Sequence, residues 1–286
     1  MSAFRIALVQ LKVGLDKERN LARAHRRVLE AARAGAQVVV LPECFNSPYG
    51  AHHFPQYAEQ LATSRTAARL AAAAREANVT LIGGSFPERD DATGQLFNTC
   101  TVWSPEGERL GVHRKIHLFD IDVPGGIRFQ ESATLSPGAR MTVVDTAVGR
   151  IGIGICYDIR FPELAMIAAR EHHVVAMVYP GAFNMTTGPM HWELLARARA
   201  VDNQIWTALC SPARGQGAGY IAWGHSMLVD PNGDVVAEAQ DHQGEQIVYG
   251  TVDPARTAAV RQAIPVTTQR RFDVYTGPKA VADNGV

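Results

Sequence analysis

Glu43, Lys115 and Cys156 each lie at or just past the end of a stretch with the pattern of a strand. Strand ends are where a sheet can gather residues far apart in sequence into one site. As chemistry, the three are a base, a cation and a nucleophile. A thiol must lose its proton before it attacks a carbon centre. A secluded carboxylate can take that proton, and an ammonium can stabilise both the thiolate and a developing oxyanion.

The cysteine sits at the sharpest change of pattern in the chain. From Arg150 to Ile155 isoleucine and glycine alternate, so Ile151, Ile153 and Ile155 share one face of a strand and Gly152, Gly154 and Cys156 the other. Pro162 and Glu163 then suit the first turn of a helix whose apolar positions include Leu164, Ala168 and Ala169. A thiol on such a corner lies near exposed N–H donors and a positive helix end, both of which favour thiolate. Taken singly, each residue also has an ordinary structural use. Free cysteine is commonly a small buried hydrophobe, Glu43 could be a solvated loop carboxylate, and Lys115 could belong to the basic surface run His113-Arg114-Lys115.

The elements that must position these residues read as an α/β pattern. A strand at 4–11, a helix at 16–34 with the stripe Leu21, His25, Val28, Leu29 and Ala32, a buried strand at 37–41, a helix at 66–77 and a strand at 79–83 follow one another. Antiparallel pieces at 97–103 and 108–113 lead to a loop-like segment, 116–137, with Pro124-Gly125-Gly126 at its middle. A hairpin at 142–155, the corner helix and a strand at 174–179 come next. The helix at 191–203 has Leu194, Ala198 and Val201 on one face and Glu193 within reach of Arg197. Strands at 205–209, 225–230, 235–239 and 246–252 and a short helix at 253–264 complete the chain, followed by a polar tail. Both Val38–Asn46 and Val174–Asn184 run from apolar strand through Pro and two residues to Phe-Asn, which hints at two related sheets.

Composition narrows the function classes. At 286 residues, 47% hydrophobic, the chain can bury a large core as one domain or two. Its 28 basic and 28 acidic side chains cancel, so the broad positive field of a nucleic-acid or membrane-surface binder is absent. Neither a secretory leader nor a bilayer-spanning run is visible. Cys44, Cys100, Cys156 and Cys210 are widely separated, as reduced thiols in the cytoplasm would be. There is no HExxH. The doublets His52-His53 and His172-His173 point adjacent side chains apart, and Gly83-Gly84 and Gly125-Gly126 lack phosphate-loop spacing. No metal or nucleotide cofactor is expected.

Three motifs in this order, Leu41-Pro-Glu43, His113-Arg-Lys115-Ile-His117 and Gly154-Ile-Cys156-Tyr-Asp-Ile-Arg-Phe-Pro-Glu163, resemble the signatures of the nitrilase, or carbon–nitrogen hydrolase, superfamily. The resemblance covers nearly the whole chain. It implies an α+β fold, a four-layer αββα sandwich of two mixed sheets flanked by helices. It also implies a single domain, with a core at about 4–265 and a tail at 266–286, that pairs into a homodimer or a higher homo-oligomer. It implies Cys156 as nucleophile, Glu43 as general base, Lys115 as electrostatic partner, Glu131 as a second glutamate and the Tyr157 N–H as an oxyanion donor.

Within that superfamily the loops at 43–50, 115–125, 179–189 and 191–204 look most like the Nit-type omega-amidases, which hydrolyse the terminal amide of 2-oxoglutaramate and 2-oxosuccinamate. Tyr49, Phe183, Asn184 and Thr187 on those loops are the expected substrate contacts. Such a substrate carries a carboxylate, for which Arg160 is either a bidentate clamp or, alternatively, a structural ion-pair partner of Asp158 or Glu163. The rival readings are an amidase for deaminated glutathione or an N-carbamoyl amine, and a scaffold that keeps the fold without catalysis.

Overall fold

Residues 2–215 and 219–274 are described by the structure, a computed structural model. The first half alternates β-branched strands with amphipathic helices: β1 (Phe4–Gln10), α1 (Lys17–Arg33), β2 (Val38–Val40), a short α2 (Phe54–Tyr57), α3 (Arg65–Ala77) and β3 (Thr80–Ile82). It continues with β4 (Phe86–Arg89), β5 (Leu96–Trp103) and β6 (Arg109–Arg114), then β7 (Asp120–Asp122) and β8 (Arg128–Gln130). Asp16 and Ser64 start α1 and α3 by accepting the N–H groups of Arg19 and Ala67. The second half runs β9 (Thr142–Thr146), β10 (Gly149–Ile153), α4 (Pro162–Arg170), β11 (Ala176–Pro180), α5 (Thr187–Asn203) and β12 (Trp206–Cys210). It ends with β13 (Met227–Val229), β14 (Val235–Glu238), β15 (Gln246–Val252) and α6 (Pro254–Ala263).

Two mixed sheets result. The first has the order β15-β1-β2-β3-β5-β4, with β6 also paired to β5, and the second β14-β13-β12-β11-β10-β9. In the first, Ala7, Val9, Val39 and Leu81 face Leu21, Val28 and Leu70 of α1 and α3. The alternate residues Ile6, Leu8, Val38 and Val40 join a core shared with the second sheet. There the small side of β10 faces α4, since a Cβ on Gly152 would meet Ala168 and Met177. Helices therefore cover both outer faces, and the layers are αββα. The Cys210 thiol, 3.3 Å from the Val40 carbonyl oxygen and 3.5 Å from that of Val9, lies between the sheets.

The repeated strand-Pro-Phe-Asn pattern has a topological counterpart. β2 and β11 are the middle strands of the parallel triples β1-β2-β3 and β10-β11-β12. Each carries its loop past the same end of its sheet.

Four local expectations need correction. The buried face of α1 is Leu21, Ala24, Val28 and Ala31, with His25 and Leu29 only half-buried. The sheet takes the small alanines, and His25 turns to Glu76 on α3 at 2.8 Å. β4 went unread because it contains Pro87. As the last strand of its sheet it tolerates the missing N–H. The segment 116–137 is not irregular throughout, since β7 and β8 pair antiparallel around Pro124-Gly125-Gly126. Finally, α5 begins at Thr187 and buries Trp192, Ala196, Arg199, Ala200 and Asn203. Leu194 (62% exposed) and Val201 (48%) point outward.

Candidate active site

Each member of the site is aimed by a specific backbone device. Beyond β2, Gly84 (φ +61°) packs so closely that a Cβ there would strike the Pro42 carbonyl oxygen. The Ser85 N–H donates to that oxygen at 3.2 Å. Ser85 Oγ accepts the Cys44 N–H at 3.0 Å, and Cys44 is left-handed at φ 49°, so the chain turns Glu43 inward. Lys115 leaves β6 with its N–H bonded to the Asn98 carbonyl oxygen on β5 at 2.8 Å. Cys156 is also left-handed (φ 47°), at the first position of a 3-10 helix, Cys156–Arg160. A non-glycine residue is strained there, and such strain gathers at functional corners.

Glu43, Lys115 and Glu131 are wholly buried, and Cys156 almost so. Lys115 Nζ lies 3.0 Å from Glu43 Oε1 and 3.1 and 2.9 Å from the two oxygens of Glu131. Glu131 is further held by the Phe119 N–H at 2.8 Å and the Tyr49 hydroxyl at 3.4 Å. Glu43 Oε1 also accepts the Asn98 amide N–H at 2.9 Å. Glu43 Oε2 has no hydrogen-bond partner among the described residues, and the Cys156 thiol is near enough to the carboxylate to act on its pKa.

Electrostatics divide the four groups. Burial raises the Glu43 pKa, with Lys115 opposing and Glu131 assisting. Burial works against the Lys115 ammonium, but Glu131 and Glu43 outweigh it and its pKa is raised. Burial and then Glu43 push the Cys156 thiol well up, against Lys115 and the Ala182 N–H, which lies 3.5 Å from Sγ. This corrects the expectation of a resting thiolate, because the corner is too dry for an anion beside Glu43. What the arrangement offers is a thiol next to a carboxylate of raised basicity, with a fixed ammonium between two glutamates. The Tyr157 N–H belongs to the first turn of the 3-10 helix, where N–H groups have no partner within the helix.

Arg160 makes no ion pair among the described residues. Asp158 is committed elsewhere: its carboxylate accepts from His113 Nε2 (3.0 Å), the Ile155 N–H (2.9 Å), the His117 N–H (2.9 Å) and His117 Nδ1 (2.7 Å). Glu163 is exposed. The Arg160 guanidinium instead sits over the rings of Phe183 (4.9 Å) and Tyr157 (5.5 Å), with Nη1 3.1 Å from His191 Nδ1 and Nε unpartnered. Arg199 on α5 steadies it by donating to the carbonyl oxygens of Ile159 and Arg160 at 2.8 and 3.2 Å.

The other loop residues divide. A cleft of about 150 Å³ is lined by Glu43, Cys44, Ser47, Tyr49, Ala182 and Tyr220 among others. Tyr49 thus reaches both cleft and site, and Phe183 packs edge-on against Trp192. Asn184 and Thr187 bond each other: Asn184 Oδ1 accepts from the N–H groups of Thr186 and Thr187 and from the Thr187 hydroxyl, which starts α5. Only Asn184 Nδ2 is left for another contact. Sequence reasoning missed Asn98, whose signal was a polar side chain inside the strand Phe97–Trp103. It also missed Tyr220, whose hydroxyl donates to the Ala182 carbonyl oxygen, and the use of Asp158 to tie His113 and His117, which flank Lys115, to the cysteine corner.

Comparison with known proteins agrees with this picture. A family model described as carbon-nitrogen hydrolase matches residues 5–262. The omega-amidase NIT2 of Mus musculus is 55% identical over 96% of this chain and 98% of its own length. That of Homo sapiens is 54% identical over the same shares. The crystal structure of Saccharomyces cerevisiae Nit3, described as a member of branch 10 of the nitrilase superfamily, superposes with a TM-score of 0.87 at 45% identity, covering 95% of this chain and 97% of that one. With the αββα layers and the buried Glu43, Lys115 and Cys156 cluster, the matches lead to one conclusion: the chain belongs to the carbon-nitrogen hydrolase family.

Proposed function

We propose that this protein is an omega-amidase, hydrolysing the terminal carboxamide of a small dicarboxylic acid monoamide such as 2-oxoglutaramate or 2-oxosuccinamate. The observation that carries the chemistry is the unpartnered Oε2 of a Glu43 carboxylate that interacts with the Cys156 thiol, with Lys115 on the other oxygen. Glu43 takes the thiol proton as Sγ bonds to the carboxamide carbon. Lys115 and the Tyr157 N–H receive the oxyanion. Glu43 returns the proton to nitrogen, the C–N bond breaks and ammonia leaves a thioester on Cys156. Glu43 then takes a proton from water, whose oxygen bonds to the thioester carbon, and gives it to the departing sulfur.

The substrate class is supported by Arg160, a partly buried cation near the nucleophile with no carboxylate opposite it among the described residues, and by the identity to two omega-amidases. A charge left unpaired at a site is best explained by an anion it awaits. The rest of the reading is one domain with a C-terminal tail, acting as a homodimer in a reducing compartment that keeps the four cysteines free. Met190, Leu194 and Val201 on the outer side of α5 are the apolar side chains that the dimer contact would cover. A Leu194→Glu change is expected to yield monomer in light scattering, and an unchanged assembly would remove α5 from the contact.

The decisive assay measures ammonia from 2-oxoglutaramate, 2-oxosuccinamate, deaminated glutathione and a carbamoyl amino acid. Turnover is expected to favour the first two and to fall by several powers of ten in Cys156→Ala with the fold intact. Preference for deaminated glutathione or the carbamoyl compound would overturn the substrate, and ammonia from none of them the activity.

A further inference from the structure

Asn98 lies on β5, 2% exposed, behind the carboxylate of Glu43 rather than in the cleft. Its amide nitrogen is 2.9 Å from Glu43 Oε1. The orientation is fixed chemically, because the amide oxygen in that place would oppose a carboxylate oxygen. Its backbone carbonyl accepts the Lys115 N–H at 2.8 Å, so one strand residue holds the base by its side chain and the cation by its main chain. With Lys115 Nζ also on Oε1, that oxygen has two donors and Oε2 none.

From this we infer that Asn98 is a positioning residue for the hydrolysis, which fixes the Glu43 carboxylate so that Oε2 alone meets the Cys156 thiol and which favours its ionised form. The inference rests on the reading of Glu43 as the general base. A carboxylate free to rotate about its last torsion would present either oxygen to the thiol. Two N–H donors converging on one oxygen remove that choice and stabilise the anion that must accept the proton. The charged and titratable groups around Glu43 are Lys115 after β6, Glu131 after β8, Cys156 after β10, Cys44 and Tyr49 on the loop after β2, and Tyr220 after β12.

The test is the pH profile of kcat/KM for the best amide substrate in Asn98→Ala and Asn98→Asp. Loss of the donor should move the acidic limb up by about one pH unit in Asn98→Ala, tenfold in the protonation constant, with kcat down about tenfold and KM little changed. Asn98→Asp fills the same volume but replaces the donor with an acidic group, so its limb should move at least as far. That isosteric form tests the inference even if the smaller one does not fold. A purely structural Asn98 predicts the reverse pattern, a parental profile in Asn98→Asp and a damaged Asn98→Ala, and that result would overturn the inference. So would an unmoved limb in both while Glu43→Gln is inactive. An active Glu43→Gln would instead overturn the reading of Glu43 as base.

Discussion

Lys115 and Glu131 form an ion pair sealed from solvent, with Nζ 2.9 Å from Oε2 and both side chains fully buried. The pair distinguishes the two glutamates. Glu131 has donors on both oxygens, Lys115 Nζ and the Tyr49 hydroxyl on one and Lys115 Nζ and the Phe119 N–H on the other. Glu43 differs in having one oxygen without a donor, which fits the proposal that it, and not Glu131, is the general base.

Glu131→Gln should therefore lower kcat by about 100-fold without removing the nucleophile or the base. Lys115 would then rest on Glu43 alone and hold it too firmly as the anion. Steady-state kinetics beside Glu43→Gln checks this: Glu131→Gln should keep measurable turnover where Glu43→Gln has none. A Glu131→Gln enzyme as fast as its parent would remove Glu131 from the charge balance.

Gly84 connects fold to site. Its left-handed backbone and the absence of a side chain let the turn after β3 press on Pro42, one residue before Glu43. Gly84→Ala is expected to destabilise the protein by more than 1 kcal/mol and, in the fraction that folds, to lower kcat by displacing Glu43. Chemical denaturation and kinetics on the same sample measure both. A stable, fully active variant would mean the turn has slack.

Asp158 gives an acid limit to stability. Burial pushes its carboxyl up, but hydrogen bonds from His113, His117 and the Ile155 N–H prevail and hold it well below the usual carboxylate range. A depressed folded value means that its contribution is fully present above the unfolded value of about 4 and fades as pH falls through the folded one. Asp158→Asn should cost about 3–5 kcal/mol at pH 7, roughly a 10 °C fall in Tm, because His113 is left buried without its carboxylate. A parental Tm at pH 7 would contradict this.

The layers were legible because short, wholly apolar strands alternate along the chain with helical stripes, and α1 and α3 carry the caps Asp16 and Ser64. The grouping of Glu43, Lys115 and Cys156 was legible because each falls at the end of a strand pattern. Asn98 was hidden by being one polar residue inside a strand, where its partner lies 55 positions away in sequence. β7 and β8 were hidden by a Pro-Gly-Gly turn that reads as loop. The outward face of α5 misled because Leu194 and Val201 at helical spacing read as core, while the residue that anchors the buried face at the cysteine corner is a charged one, Arg199. Periodicity gives the stripe but not the side on which the neighbouring layer lies.

The contact between Arg160 and His191 carries the last prediction. Nδ1 of His191 can accept from the guanidinium only while it has a free lone pair, that is, while the ring is neutral. Burial, and then Arg160 itself, push the His191 pKa below the ordinary imidazole range. The neutral ring is therefore the native form at neutral pH, and the contact fails as pH falls through that lowered value. With Arg160 as the carboxylate clamp, KM for a keto-acid amide should rise as pH falls through the lowered His191 value, and KM for a neutral amide should not. Arg160→Lys should raise KM for the keto-acid amide by about 10–100-fold at pH 7.5, since one ammonium replaces a planar fork. His191→Ala should take away the rise on the acid side while leaving a higher, flat KM. If both variants bind the keto-acid amide as the parent does, Arg160 lies outside the substrate site and its aromatic seat on Phe183 and Tyr157 is a matter of folding alone.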